Sequence, residues 1–310
     1  MSKIKHEFPS INHELFINFH LYTFSNMKRL FLSLLTGIAA LCGSAQTKDS
    51  VDVSQFTVVY DYACKTRMGK TGENITDTMR LAVQVGTKLN RMMEYYWYDY
   101  FIHRHRKEDV LHGMWSHCVN MMPECIYTNY PEGKLTTREG VVPKPYETTQ
   151  PMNTIQWQLS ADTATIATYP CKKAVGEFGG RTWTVFYTDE VPSTAGPWKL
   201  HGCPGLIVRA DDSEGIHHFE LNALINEQLA IRYEPKPNYV RMDNAKFIKF
   251  RNGLFCNPRY VQDPHYWLSA GDNIQVQSYM WGPTDWVEYY NGIYSPHKDN
   301  VRYYQPLELK

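Results

Sequence analysis

The segment HGCPGLIVRADDSEGIHHFEL, residues 201–221, decides the fold. Side chains alternate across a strand, so Leu206, Val208 and Ala210 point one way while Ile207 and Arg209 point the other. DDSEG, residues 211–215, supplies a turn, which reads Asp211 and Asp212 as solvated turn residues and not as a glycosidase carboxylate pair. On the return, His217, Phe219, Leu221 and Ala223 alternate with His218, Glu220 and Asn222. Each strand has a largely apolar face and a more polar one, the pattern of an antiparallel hairpin. Pro204 fixes its φ and Gly205 lacks a Cβ, so this pair sets the entry into the hairpin.

A second hairpin lies just upstream, in CKKAVGEFGGRTWTVFYT, residues 171–188. Gly179 and Gly180 supply the positive φ angles of a tight turn, and Trp183, Val185 and Tyr187 share one face. Pro192, Gly196 and Pro197 mark an irregular connection into the segment at 201–221. FTVVYDYAC (56–64), TMRLAVQV (78–85) and MMEYYWYDYFIH (92–103) also read as strands. Within the last, the aromatic run Tyr95 to Phe101 reads as strand residues covered on both faces, in preference to a ligand groove. Trp281 and Trp286 are the better candidates for an exposed contact surface. MDNAKFIKFRNGLFCNP (242–258) predicts a helix capped by Asp243 and ended before Pro258, with Ala245, Phe247 and Ile248 toward the sheet. The expected fold is mainly β: an antiparallel sheet, a sandwich or a curved half-barrel, with at least one helix packed on it.

Lys plus Arg number 32, as do Asp plus Glu, so no long-range field draws the chain to nucleic acid. Residues 27–46, MKRLFLSLLTGIAALCGSAQ, pair a basic start with a short apolar run and a small-residue end, which is the pattern of a secretory signal peptide. Residues 1–26 then read as a disordered start-site extension, and residues 47–310 as one exported β-rich domain with no transmembrane segment, periplasmic or at the outer surface. That mature part keeps Cys64, Cys118, Cys125, Cys171, Cys203 and Cys256, an even set that favours disulfides in an oxidising compartment.

With these segments in this order, the chain resembles the GLPGLI family of exported Bacteroidota proteins. Cys171, Trp183, Pro197, Trp198, Gly202, Cys203, Pro204, Gly205, Leu206 and Ile207 carry the resemblance, together with the late helix and the ending QPLELK. Cys203 stands where the name-giving motif has Leu, and a buried cysteine packs as a small hydrophobe. It also opens a disulfide to Cys171; Cys118 and Cys125 are the other disulfide candidates. The resemblance implies a β-rich envelope protein, supplies no catalytic residues, and makes an outer-membrane transport component the expected partner. Ser50, Thr78 and Thr163 resemble the O-glycosylation pattern of the same bacterial group, and the bulk of a glycan implies surface loops there.

One cluster suits chemistry. His103, His105, His112, Met114, His117 and Cys118 gather imidazole, thioether and thiol, a set fitted to a soft, copper-like metal, although no fixed metal-ligand spacing is present. Cys203 with His201, or Cys118 with His117, would be the thiol nucleophiles of a hydrolase, supported only by adjacency. The sequence therefore points first to a non-catalytic binding or interaction protein, second to a soft-metal binder and third to a secreted hydrolase, and identifies no cofactor.

Overall fold

The computed structural model describes residues 50–67, 72–99, 123–141, 144–152, 155–256, 287–290, 293–296 and 305–310. The early strands are β1 (Ser50–Arg67), β2 (Asn74–Gly86) and β3 (Asn90–Glu94), followed by the short helix α1 (Tyr95–Tyr98). Next come β4 (Cys125–Thr128), β5 (Lys134–Val141), β6 (Lys144–Pro151), β7 (Gln158–Ile166), β8 (Tyr169–Phe178) and β9 (Arg181–Thr188). The hairpin quoted above forms β10 (Leu206–Asp212) and β11 (His217–Ile225), then β12 (Ala230–Arg232), β13 (Val240–Asp243) and helix α2 (Asn244–Phe255). Val287–Tyr290 and Ile293–Pro296, β14 and β15, pair only with each other.

The other strands build one sheet in the order β13-β6-β5-β4-β3-β2-β1-β11-β10-β9-β8-β7, with β12 beside the start of β1. Every pairing is antiparallel except β13 on β6, so the sheet is mixed. Among the described residues no pairing joins its two edges, and the sheet is open. Yet β6 and β8, far apart in that order, line one cleft, so the sheet curls about its apolar face. Val58, Tyr60, Leu81, Val83, Trp183, Val185 and Phe219 fill the inside of the curl, all at most 2% exposed. A smaller core of Ala82, Met93, Tyr98, Tyr127 and Ile231 lies on the opposite face, beneath α1 and the segment that follows β11.

The β8–β9 hairpin follows its sequence. Gly179 and Gly180 have φ of 61° and 81°, and Phe178 pairs with Arg181 across them. Trp183, Val185 and Tyr187 are buried together. Helix α2 forms where predicted, with the Asp243 carboxylate accepting the Lys246 N–H. Its buried stripe is Asn244, Phe247, Ile248 and Arg251, at helical spacing, so Ala245 falls off the stripe and is exposed, against expectation.

Two further expectations are corrected. The strand read at 92–103 ends at Glu94, where pairing to β2 stops at Leu81. Tyr95 to Tyr98 then form one helical turn, their rings meeting at 5.9 Å, and the Tyr98 hydroxyl donates to Thr57 Oγ1 (3.2 Å). Asp212 is no solvated turn residue: its carboxylate is buried on Arg181 at 2.7 Å and accepts the N–H groups of Ile216 and His217. Asp211 is half-buried between Arg209 and His218.

Candidate functional site

The signature connection is built for close packing. A Cβ on Gly205 would lie 2.2 Å from the Thr188 carbonyl oxygen, so only glycine lets β10 start beside the end of β9. Leu206 and Ile207 are fully buried, and the Tyr60 hydroxyl donates to the Ile207 carbonyl at 2.7 Å. Pro197 is buried and its carbonyl accepts the Leu200 N–H, while Pro204 is exposed and the Gly202 N–H donates to Thr194. Trp198, at φ 53°, packs its ring 5.8 Å from Trp183 and edge-on to Phe178 at 5.5 Å. These motif residues are architecture.

The same connection aims one charge inward. Lys199, 2% exposed, reaches Glu308 Oε2 at 2.6 Å. Asn244 Nδ2 donates to the other Glu308 oxygen (3.3 Å), and Asn252 Nδ2 donates to the Glu308 carbonyl (2.8 Å). Behind them Arg251 meets Glu139 at 3.0 Å; burial pushes the Glu139 carboxyl up and the arginine opposes it. Arg181 donates twice to the Pro306 carbonyl, and the Leu309 N–H donates to Gly179. Residues 306–309 are thus held by buried cations at one end of the β8–β9 hairpin.

Beside this clamp opens a cleft of about 900 Å³. Thr149, Gln150 and Pro151 of β6 form one wall, and Val175 to Gly179 with Thr182 form the other. Gln156 and Gln158 close one side, Asp243 and Asn244 at the start of α2 the other, and Glu308 and Lys310 complete the rim. Asn244 also donates to the Gln150 side chain, which ties α2 to β6. Amides, hydroxyls and carboxylates share the lining with apolar surface from Pro151, Ile155, Val175, Phe178 and Ala245. Such a site can orient a polar ligand through several hydrogen bonds while covering part of it.

The thiols are placed differently from expectation. Cys171 and Cys203 are free and buried in the main core, so the proposed bridge between them is not formed. Each packs as a small apolar group, and the Cys171 thiol instead donates to the Tyr169 carbonyl (3.3 Å). Cys125, Cys64 and Cys256 are likewise thiols, and no disulfide occurs among the described residues. Burial pushes the Cys203 thiol up to about 12, and His201 directs Nδ1 at the Lys199 carbonyl (2.8 Å), an arrangement that opposes a Cys203 nucleophile.

His103, His105, His112, Met114, His117, Cys118, Trp281 and Trp286 lie outside the described residues. Among the described residues, no three His, Cys, Asp or Glu side chains converge as metal ligands. Ser50 begins β1, and Thr78 and Thr163 are exposed but sit on β2 and β7, so the loops expected at the last two are strands. No described helix is long and apolar enough to cross a membrane. The cleft residues escaped the sequence reading, because Gln150, Gln156 and Gln158 belong to no motif, Glu177 was read only as part of a hairpin, and they converge only when the sheet curls.

No family model matches the chain, and no curated protein matches it. Two crystal forms of PNGF-II align over 61% of this chain at 12% and 13% identity, each with a TM-score of 0.38. The chain spans about a third of the length of PNGF-II, 32%. The LolA superfamily protein NE2245 from Nitrosomonas europaea aligns over 58% of this chain and 88% of its own length, at 10% identity and a TM-score of 0.20.

Proposed function

We propose that this is an exported, non-catalytic binding protein of the cell envelope, a member of the GLPGLI family, that holds its ligand in the cleft between β6 and β8 beside an outer-membrane transport component. The observation that carries the reading is the cleft itself. Its volume falls within the range of about 300–1,000 Å³ usual for ligand sites, and its walls are fixed by buried charge pairs and side-chain amides. The thiols support binding over covalent chemistry, since burial raises the pKa of Cys64 and Cys203 to about 12 each and so disfavours the thiolate.

Native mass spectrometry of protein purified from its own envelope tests this. A bound mass lost on denaturation, and lost again in a Gln156→Ala/Gln158→Ala variant, is the expected result. A bound mass that survives both substitutions would move the site elsewhere. Sequencing the N-terminus of the same material tests export, with cleavage after Gln46 expected.

A further inference from the structure

We propose that the cleft takes an extended peptide, added as a strand along the open edge of β8 at Gly176–Phe178; this rests on reading the cleft as the ligand site. Pairing between β7 and β8 ends at Gln158–Val175, so β8 runs on for three residues with no described strand on that side. Those three residues line the cleft. Phe178 and Arg181 close a two-residue turn, so their N–H and C=O groups face each other. The alternation then turns the N–H and C=O of Glu177 away from β9 and toward the cleft. An open edge of this kind is a template for a further strand, with main-chain bonds supplying affinity and flanking side chains supplying specificity.

The molecule already holds one peptide at this place. The Leu309 N–H donates to Gly179, one residue past the open edge, and side chains of Arg181 and Asn252 take the carbonyls of Pro306 and Glu308. The cleft continues that line. Charge narrows the occupant further. Glu177, Asp243 and Glu308 line the cleft against Lys310, and Lys199 reaches Glu308 from the buried side. Asp243 also caps α2 and Lys310 offsets one charge, so Glu177 is the carboxylate left for a cation, and the peptide should carry a lysine or arginine that reaches it.

The probe is a pool of octapeptides, acetylated and amidated, random except for one fixed lysine, offered to the full chain in native mass spectrometry. Glu177→Pro removes the N–H that faces the cleft, at an edge where proline is tolerated, and Glu177→Gln keeps the N–H but removes the charge. Binding of the pool is expected, weakened about tenfold by the proline and a few-fold by the glutamine. In hydrogen exchange, the Glu177 amide should exchange freely in the unliganded protein and become protected with peptide bound. That measurement on the unaltered protein decides the matter if Glu177→Pro fails to fold. Peptide binding that leaves the Glu177 amide unprotected overturns the added strand and keeps the cleft. Failure of the pool to bind, with an envelope-derived ligand still lost in Gln156→Ala/Gln158→Ala, overturns the peptide and keeps the cleft as a site. A ligand indifferent to every one of these substitutions overturns both readings.

Discussion

Two buried arginines pin returning segments onto the sheet, and they do it by different chemistry. Arg181, on β9, spends its guanidinium on the Asp212 carboxylate at 2.7 Å, Glu214 at 2.8 Å and the Pro306 carbonyl. Arg138, on β5, meets Glu147 at 2.8 Å, but its Cζ lies over the Tyr233 ring, 4.3 Å from the ring centre, and one nitrogen donates to the Glu234 carbonyl. The first takes the carbonyl of the segment leading to the cleft rim while its charge is matched by Asp212 and Glu214. The second holds the segment after β12 against the opposite face, largely through the flat shape of its guanidinium. Removing a charge should therefore damage the first most, and changing a shape the second.

Arg181→Ala is expected to have the largest effect, because the Asp212 side chain is fully buried and would keep an unpaired charge. A loss of about 3–5 kcal/mol in chemical denaturation is the expectation; a loss under about 1 kcal/mol would mean the pair is hydrated. The same region carries a large pH dependence. Burial lowers the pKa of His217 from 6.5 to about 4, and its Nδ1 is shared with the Tyr62 hydroxyl at 2.8 Å. Between those values the unfolded chain binds a proton that the folded one refuses, so the His217 contribution is full above pH 6.5 and falls as pH drops toward 4. On the order of 3 kcal/mol is at stake, and His217→Gln should flatten the slope.

Near Arg138 the pH window is different. Burial alone would raise the pKa of Glu147, but hydrogen bonds from Arg138 and Tyr233 bring it below 4.5. Its contribution is present above the ordinary carboxylate range and is lost only as pH falls through that lowered value. Arg138→Lys keeps the charge but loses the fork and the stacking, and should cost about 2 kcal/mol by thermal or chemical unfolding. The corresponding Arg181→Lys should be the milder of the two lysine substitutions if charge dominates there. The smallest effect has the opposite sign. Gln84 is fully buried with neither its amide nitrogen nor its oxygen bonded, so Gln84→Leu should raise stability by about 1 kcal/mol.

What the sequence revealed divides along the same line. Alternation and turn chemistry located β8 to β11, and an N-cap located α2, because each signal lies within a few residues. The aromatic run at 95–98 misled, since a row of large residues reads as a covered strand whether or not a pairing partner is in reach. The Cys171–Cys203 bridge was an inference from compartment and resemblance, and both thiols prove to be core packing. Asp212 looked like a turn residue because nothing local shows that Arg181 will lie above it. The cleft was illegible for the same reason: Gln150, Glu177, Asn244 and Glu308 are separated by long stretches of chain and meet only through the curl of the sheet and the return of residues 305–310. Metal binding by the 103–118 segment concerns residues outside those described.

The most direct test of the account is a crystal structure of the protein purified from its own envelope without unfolding. The account predicts ligand density between Gln150 of β6 and Glu177 of β8, running along the β8 edge and bounded by Glu308. Density lodged instead at the Gln84 face, with the cleft holding only water, would contradict it.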